Sequence, residues 1–505
     1  MERRNFIRGA ALGCAGLTVP ASFWQTIFAY ADSQQELFNI PRPLDTKINI
    51  KPLFGVRIPA ELHEGPCRPD NPSLWDKEEE KENAQLEFQS WKKTLYETLG
   101  KNVMIQEPVY VEYAGNHIID TATWSTITKD DASTDLYVLS HYRIPGLGAH
   151  TDKAIALVGN ACATLDVNAT LRSRGETVYG AIDYHHLSQI IDALKVKKAL
   201  SQTKMLAVSD GKWDYEFNAV RSNIDTNILK DKFGVDSHYI TIDEMMDEFR
   251  LVEKDKDYLD LADKITYELL QHAEKSSMPA ENIKPSILYY LTAKKMMQKY
   301  GCNGFTATCQ EFCVSLNPMQ HRVTPCITHT LLKDEGYISV CEADTNAFFS
   351  MGLQMYTANK TPYMGNTLIY KLKENQLQMI HDVPGRKMHG YDQPDLPYSI
   401  ESFTERNWGA TMRYEFSRDA GKEVTFCRTT PAGDKVLAVK GVIQGGAGVE
   451  GWGCRLKAYI EVSDAMHYFN SAQQTGHHFS LVYGDYTDQL QMLAKILNME
   501  IEVLA

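Results

Sequence analysis

Between positions 133 and 300, short continuous apolar runs alternate with longer stretches of helical spacing. The runs at 135–140, 154–158 and 175–180 are too short for helices and read as buried strands. Positions 187–200 carry the helical period. A strand at 203–209 ends on Asp210 and Gly211, 215–233 reads as helix, and 238–242 is the next strand. Positions 242–249 then open another helix. Two more follow at 258–273 and 287–300, the second placed just after Pro285. Fully apolar strands separated by helices predict parallel sheets covered on both faces.

On either side of this region the pattern differs. Positions 75–99 are rich in Lys and Glu with apolar residues at Leu86, Phe88, Trp91 and Leu95, an amphipathic helix with a solvated face. The proline-dotted stretch 25–70 reads as an arm wrapping the first domain. Beyond about 361, short runs at 366–373, 376–381, 422–428, 435–444 and 454–462 stand between turn signals and predict a mostly antiparallel β region. A last helix at 486–497 leads into 501–504. The expected α/β architecture is two Rossmann-like doubly wound domains, 31–195 and 196–362, followed by a β-rich domain at 363–505.

Composition narrows the partners. A net charge of −13 over 505 residues disfavours nucleic acid and anionic membrane surfaces, which need a basic face. The ten cysteines contain no C-x-x-C pair and read as buried free thiols, with a disulfide or two left open by export. At the start, Arg3 and Arg4 precede Phe6, Ile7 and Arg8, and then a short run of small and apolar residues. This segment, about 1–30, looks like a twin-arginine export signal and predicts a periplasmic or exported protein. The apolar run is too short to span a membrane, and no integral membrane span is expected.

Four stretches carry candidate chemistry: GFTATCQEF at 304–312, GYISVCEAD at 336–344, TPYMGNT at 361–367 followed by MIHDVP at 379–384, and GHHFSLVYGD at 476–485. Each alone has a structural explanation. Asp344 before a helix can be an N-cap, and a strand-end His such as His381 is often simply hydrogen-bonded. Alternation on a strand turns only one of His477 and His478 inward. The glycine run at 445–453 follows no βα unit and reads as a loop, not a dinucleotide site.

In combined order these stretches resemble the L-fucose/L-arabinose isomerase family, over roughly 130–505. The resemblance implies a fucose isomerase-like fold, a small-molecule sugar or glycoside as ligand, and a divalent metal, Mn²⁺ first, with Mg²⁺ or Zn²⁺ as alternatives. It maps metal ligands onto Glu342, His381 and His478, with Asn366 as a weaker fourth. Gln310, His477 and Trp452 fall where the sugar would be contacted. The implied reaction moves a proton between C1 and C2 of an open-chain sugar through an enediolate held by the metal. The family's subunits assemble as trimers or hexamers, so a homo-oligomer is implied.

This sequence departs from the family at one place. A second carboxylate belongs in 363–367, where Gly365 and Asn366 stand instead. Asp344 or Asp382 is then the candidate acid/base, together with Glu342. The departure leaves two other readings open: an exported metal-dependent glycoside lyase or hydrolase on the same scaffold, and a non-catalytic sugar-binding relative.

Overall fold

The computed structural model describes residues 37–57, 77–99, 103–113, 118–140, 144, 146–210, 220–309 and 316–505. The export-signal segment, Gln310 and part of the helix expected at 215–233 lie outside these residues.

The first sheet is parallel throughout and takes β1 (Ile48–Arg57), β2 (Val103–Ile105), β3 (Val109–Tyr113), β4 (Leu136–Leu139), β5 (Ala154–Val158) and β6 (Val178–Ala181). β1 lies inside it, between β4 and an edge shared by β2 and β3. The arm expected at 25–70 is therefore, over Ile48–Arg57, an interior strand. Pro52 disguised it, because proline cannot donate to a ladder. The register explains the tolerance: β2 pairs only through Ile50 and β3 only from Leu53, so Pro52 falls in the gap between them.

The second sheet contains β7 (Lys204–Val208) and β8 (Asp236–Ile240) and, after a two-residue strand β9 (Lys275–Ser276), β10 (Gly304–Ala307) and β11 (Ile338–Cys341). Its order is β11-β10-β7-β8, all parallel. Helices Tyr184–Ser201, Ile242–Val252, Lys256–His272 and Ala280–Lys299 accompany these strands as the spacing predicts. The last begins earlier than expected and carries Pro285 in its second turn. There the ring forfeits only the bond to the carbonyl four residues back.

From residue 363 the chain forms β12 (Tyr363–Lys371), β13 (Gln376–Ile380), β14 (Ser399–Ser402), β15 (Ala410–Arg413), β16 (Glu423–Thr429), β17 (Lys435–Ala447), β18 (Lys457–Val462), β19 (His478–Tyr483) and β20 (Glu500–Leu504). Strands β16-β19-β12-β13-β18-β17 are antiparallel neighbours, and β17 also pairs with β16, closing a barrel. β20 runs parallel along β17, while β14 and β15 join β9 in a small separate sheet. The protein is thus mixed α/β, with two parallel sheets and a barrel-like antiparallel region. Among the described residues no helix is long and apolar enough to cross a membrane.

The helix Thr345–Ala358 links these bodies. It leaves the carboxyl end of β11 and is buried along nearly its whole length. Its Phe348, Phe349 and Met355 share one core with Leu200, Val340, Cys427 and Leu490. A helix apolar on every side must be covered on every side, and that requirement sets the barrel against the second sheet.

Lys333 fastens the same junction. It is fully buried in the helix Cys326–Asp334, and its Nζ donates to the carbonyls of Pro362, at 3.1 Å, and Val383. Burial pushes its pKa down from 10.5 to about 7, and a neutral amine still supplies both N–H donors. Between about pH 7 and 10.5 the unfolded chain then binds the proton that the folded chain has lost, so stability rises with pH across that window and the contribution is flat below it. Relative to Lys333→Met, the parent should gain on the order of a few kcal/mol between pH 7 and 10, read by denaturant unfolding at each pH. A constant difference between the two would contradict this.

Candidate metal centre

β11 ends in an unusual turn. Glu342 and Ala343 both adopt left-handed backbone, with φ of 65° and 51°. Neither residue favours that region, and each such placement costs about 1–3 kcal/mol. The turn delivers the Glu342 carboxylate to the mouth of the barrel, where His381 follows β13 and His478 opens β19. Donor atoms of the three residues lie within 4.8 Å of one another. The Nε2 of His381 is 3.3 Å from one carboxylate oxygen, and the Nε2 of His478 is 3.6 Å from the other.

The three side chains expected as ligands therefore converge. Both imidazoles are buried, and neither Nε2 has a hydrogen-bond partner. The Nδ1 of His478 bonds Asp344 at 2.9 Å, while that of His381 sits 3.7 Å from the Cys454 sulfur. With its Nδ1 proton donated to a carboxylate, His478 presents a lone pair at Nε2, the arrangement that orients a metal-ligating histidine. Burial opposes ionisation of Glu342, but His381 and His478 outweigh it and hold its pKa at about 2. Either protons on the imidazole Nε2 atoms or a cation in their place answers the charge of this carboxylate, and metal binding would release such protons. The donor set fits a divalent ion, and oxygen and imidazole ligands suit Mn²⁺, Mg²⁺ or Zn²⁺.

Asp344 and Asp382, the candidate proton carriers, are both held by buried partners. Asp344 caps the helix Thr345–Ala358 through the Ala347 N–H, and its remaining valences go to His478 and to the Arg428 guanidinium at 2.9 Å. Burial would raise its carboxyl, but Arg428 and His478 hold it well below the ordinary range. Asp382 accepts Nε and Nη2 of Arg413 at 2.9 and 2.6 Å and the backbone N–H groups of Arg455 and Leu456. Both carboxylates hold neighbouring groups in place.

Asn366 stands on β12 directly opposite His478 and Ile380, on the face that carries the cluster. Its amide donates to the Ile380 carbonyl at 3.4 Å. Gly365 cannot be the missing carboxylate's place, because a Cβ there would lie 2.5 Å from Met379 and 3.1 Å from the backbone of Ile380. His477 is half-buried beside His478, with ring centroids 4.3 Å apart, and burial pushes its pKa down to about 4. Trp452 is exposed on a loop whose Gly448, Val449, Gly451 and Gly453 carbonyls accept from Arg413.

Sequence reasoning missed Arg413, Arg428 and Cys454. The arginines could have been flagged as charges inside otherwise apolar strand runs. Cys454 had no local signal at all. A separate open, polar pocket of about 540 Å³ lies elsewhere, lined by Asp131, His150, Lys153, Arg174 and Glu176. It sits at the amino ends of β5 and β6, the opposite end from that used by ligands of open α/β sheets.

Fold and site together define a mixed α/β protein with a candidate His₂–carboxylate cation centre where the second sheet meets the barrel. No family model matches the chain. It is similar to the sulfoquinovose isomerases of Priestia aryabhattai and Priestia megaterium (strain ATCC 12872 / QMB1551), 24% identical to each over 407 residues. That match covers 76% of this chain and 85% of each relative.

Two outcomes check the centre. With Mn²⁺ at about a hundred times its Kd, stability should rise by about 2.7 kcal/mol, and Glu342→Gln should remove that gain in a thermal-shift titration. An equal shift in the variant would place the ion elsewhere. Asp382→Ala leaves the buried Arg413 charge without its counter-ion and should cost about 3–5 kcal/mol, read from the denaturation midpoint. A cost below about 1 kcal/mol would argue against the pair's structural role.

Proposed function

We propose that this chain is a metal-dependent sugar isomerase interconverting an aldose with its ketose. The observation that carries the reading is the convergence of two buried imidazole Nε2 atoms on the two oxygens of the Glu342 carboxylate, at 3.3 and 3.6 Å. The similarity to two sulfoquinovose isomerases supports the same reading. Glu342, His381 and His478 would hold the ion, and Mn²⁺ is the one to test first. When bound, such an ion would supply Lewis-acid stabilisation of the charge that develops when an open-chain sugar is isomerised.

The chain's own residues account for the rest of the arrangement. Asp344 fixes the orientation of His478, and Arg428 fixes Asp344. Asp382 and Arg413 hold the 448–453 loop and the backbone at Arg455 and Leu456 beside His381. His477 is neutral at pH 7 and offers ring nitrogens to a sugar hydroxyl. Trp452 offers an exposed apolar face on the same loop. Asn366 can supply a carbonyl oxygen but cannot accept a proton, so proton transfer in this chain does not use that position.

The test is incubation with Mn²⁺ and a panel of aldoses in deuterated water, following deuterium entry at C2 by NMR. Sulfoquinovose, the sugar in the names of both relatives, belongs first in that panel. Label is expected in at least one aldose. It should be abolished in Glu342→Gln and reduced roughly 10–100-fold in Asp344→Asn, the usual cost of losing a group that orients a ligand. Release of a reducing end from a glycoside without any label at C2 would overturn the isomerase reading.

A further inference from the structure

A second group of donors shares Glu342 with the centre, and its two thiols play no part in the reading above. β10 and β11 are parallel neighbours, with Ala307 opposite Cys341. The ladder continues past the strand ends, where the Ala343 N–H donates to the Ala307 carbonyl at 3.1 Å. This register carries Cys309, two residues beyond β10, to the side of Cys341, the last residue of β11. The sulfurs of Cys309 and Cys341 and a carboxylate oxygen of Glu342 all lie within 4.8 Å of one another. Cys341 is buried and Cys309 half-buried, so the group opens toward solvent on the Cys309 side. The Met364 thioether is also at this end, accepting from the Cys341 N–H at 3.3 Å.

The chemistry of this group differs from that of the first. Two thiols with one carboxylate prefer soft or borderline ions such as Zn²⁺ and Cd²⁺, whereas imidazole with carboxylate also serves Mn²⁺. Glu342 belongs to both groups, yet each of its oxygens already faces an imidazole. An ion bound by the sulfurs would have to draw one of those oxygens away.

We propose that Cys309, Cys341 and Glu342 form a second, thiophilic cation position that competes with the His381–His478 position for their common carboxylate. Binding there displaces both thiol protons to solvent, with no oxidation of sulfur. A soft ion in the second position therefore weakens Mn²⁺ in the first.

The probe is Cd²⁺, added to the purified full chain under reducing conditions. Its thiolate charge-transfer absorption in the ultraviolet reports sulfur ligation, and Mn²⁺ affinity is measured separately by thermal shift. The parent should show the band, and one equivalent of Cd²⁺ should weaken Mn²⁺ by at least about tenfold. Cys309→Ser should lose most of the band and the competition while keeping its own Mn²⁺ shift. Cys454→Ser, which alters the thiol beside His381, should keep the band. Absence of a band in the parent, its persistence in Cys309→Ser, or its loss in Cys454→Ser instead would overturn the proposal. So would a band that leaves Mn²⁺ affinity unchanged. None of these readings depends on isomerase activity, so failure of the sugar assay leaves this test intact.

Discussion

Arg428 is a fully buried guanidinium on which three separate segments depend. Its Nη1 donates to Asp344 and to the His478 carbonyl, its Nε to the Thr475 carbonyl, and its Nη2 to the Ser222 hydroxyl. A guanidinium out of water is tolerable only when its donors and its charge are answered, and here the answer fixes geometry. Asp344 is held against the charge, and His478 against Asp344. The bare face of that imidazole is then turned toward Glu342. Arg413 does the same at the other histidine, binding Asp382 and the carbonyls of the loop that bears Cys454. His478 is therefore aimed by a buried ion pair behind it, and a second buried pair fixes the loop beside His381.

Such an arrangement is expensive for stability. Burying two imidazoles around one carboxylate costs hydration that their contacts with Glu342 only partly return, and the left-handed Glu342 and Ala343 add about 1–3 kcal/mol of strain each. Residues selected for packing alone would place a glycine or asparagine in that turn and would bond the imidazoles elsewhere. The concentration of these costs around one carboxylate is what separates the centre from an ordinary buried His–Glu contact.

The alternation of apolar runs and helical spacing made the parallel sheets and the change to β structure near 361 legible in the sequence. Strand β1 was hidden because Pro52 argues against an interior strand, and only the gap between β2 and β3 makes room for it. The converging trio Glu342, His381 and His478 was legible because each residue ends or begins a recognisable strand. The roles of Asp344 and Asp382 were not. Their partners Arg428 and Arg413 lie 84 and 31 residues further along, and no local pattern joins an aspartate to an arginine at such separations. The left-handed turn at Glu342 was likewise invisible, since nothing in the Cys-Glu-Ala-Asp run demands it.

The position of β19 in the barrel bears on how the protein comes to be folded. This strand lies between β16 and β12, both of which precede it in the chain. His478 is 134 residues from its partner Asp344. Contacts so distant in sequence form late, after the cost of closing the intervening loop has been met. A nascent chain lacking β19 has Glu342 and His381 but no complete ligand set, and Arg428 has lost the carbonyls of Thr475 and His478. Convergence of Glu342, His381 and His478 is therefore tied to closure of the barrel, and any ion held by all three would certify that the last strand of the closed ring has found its place.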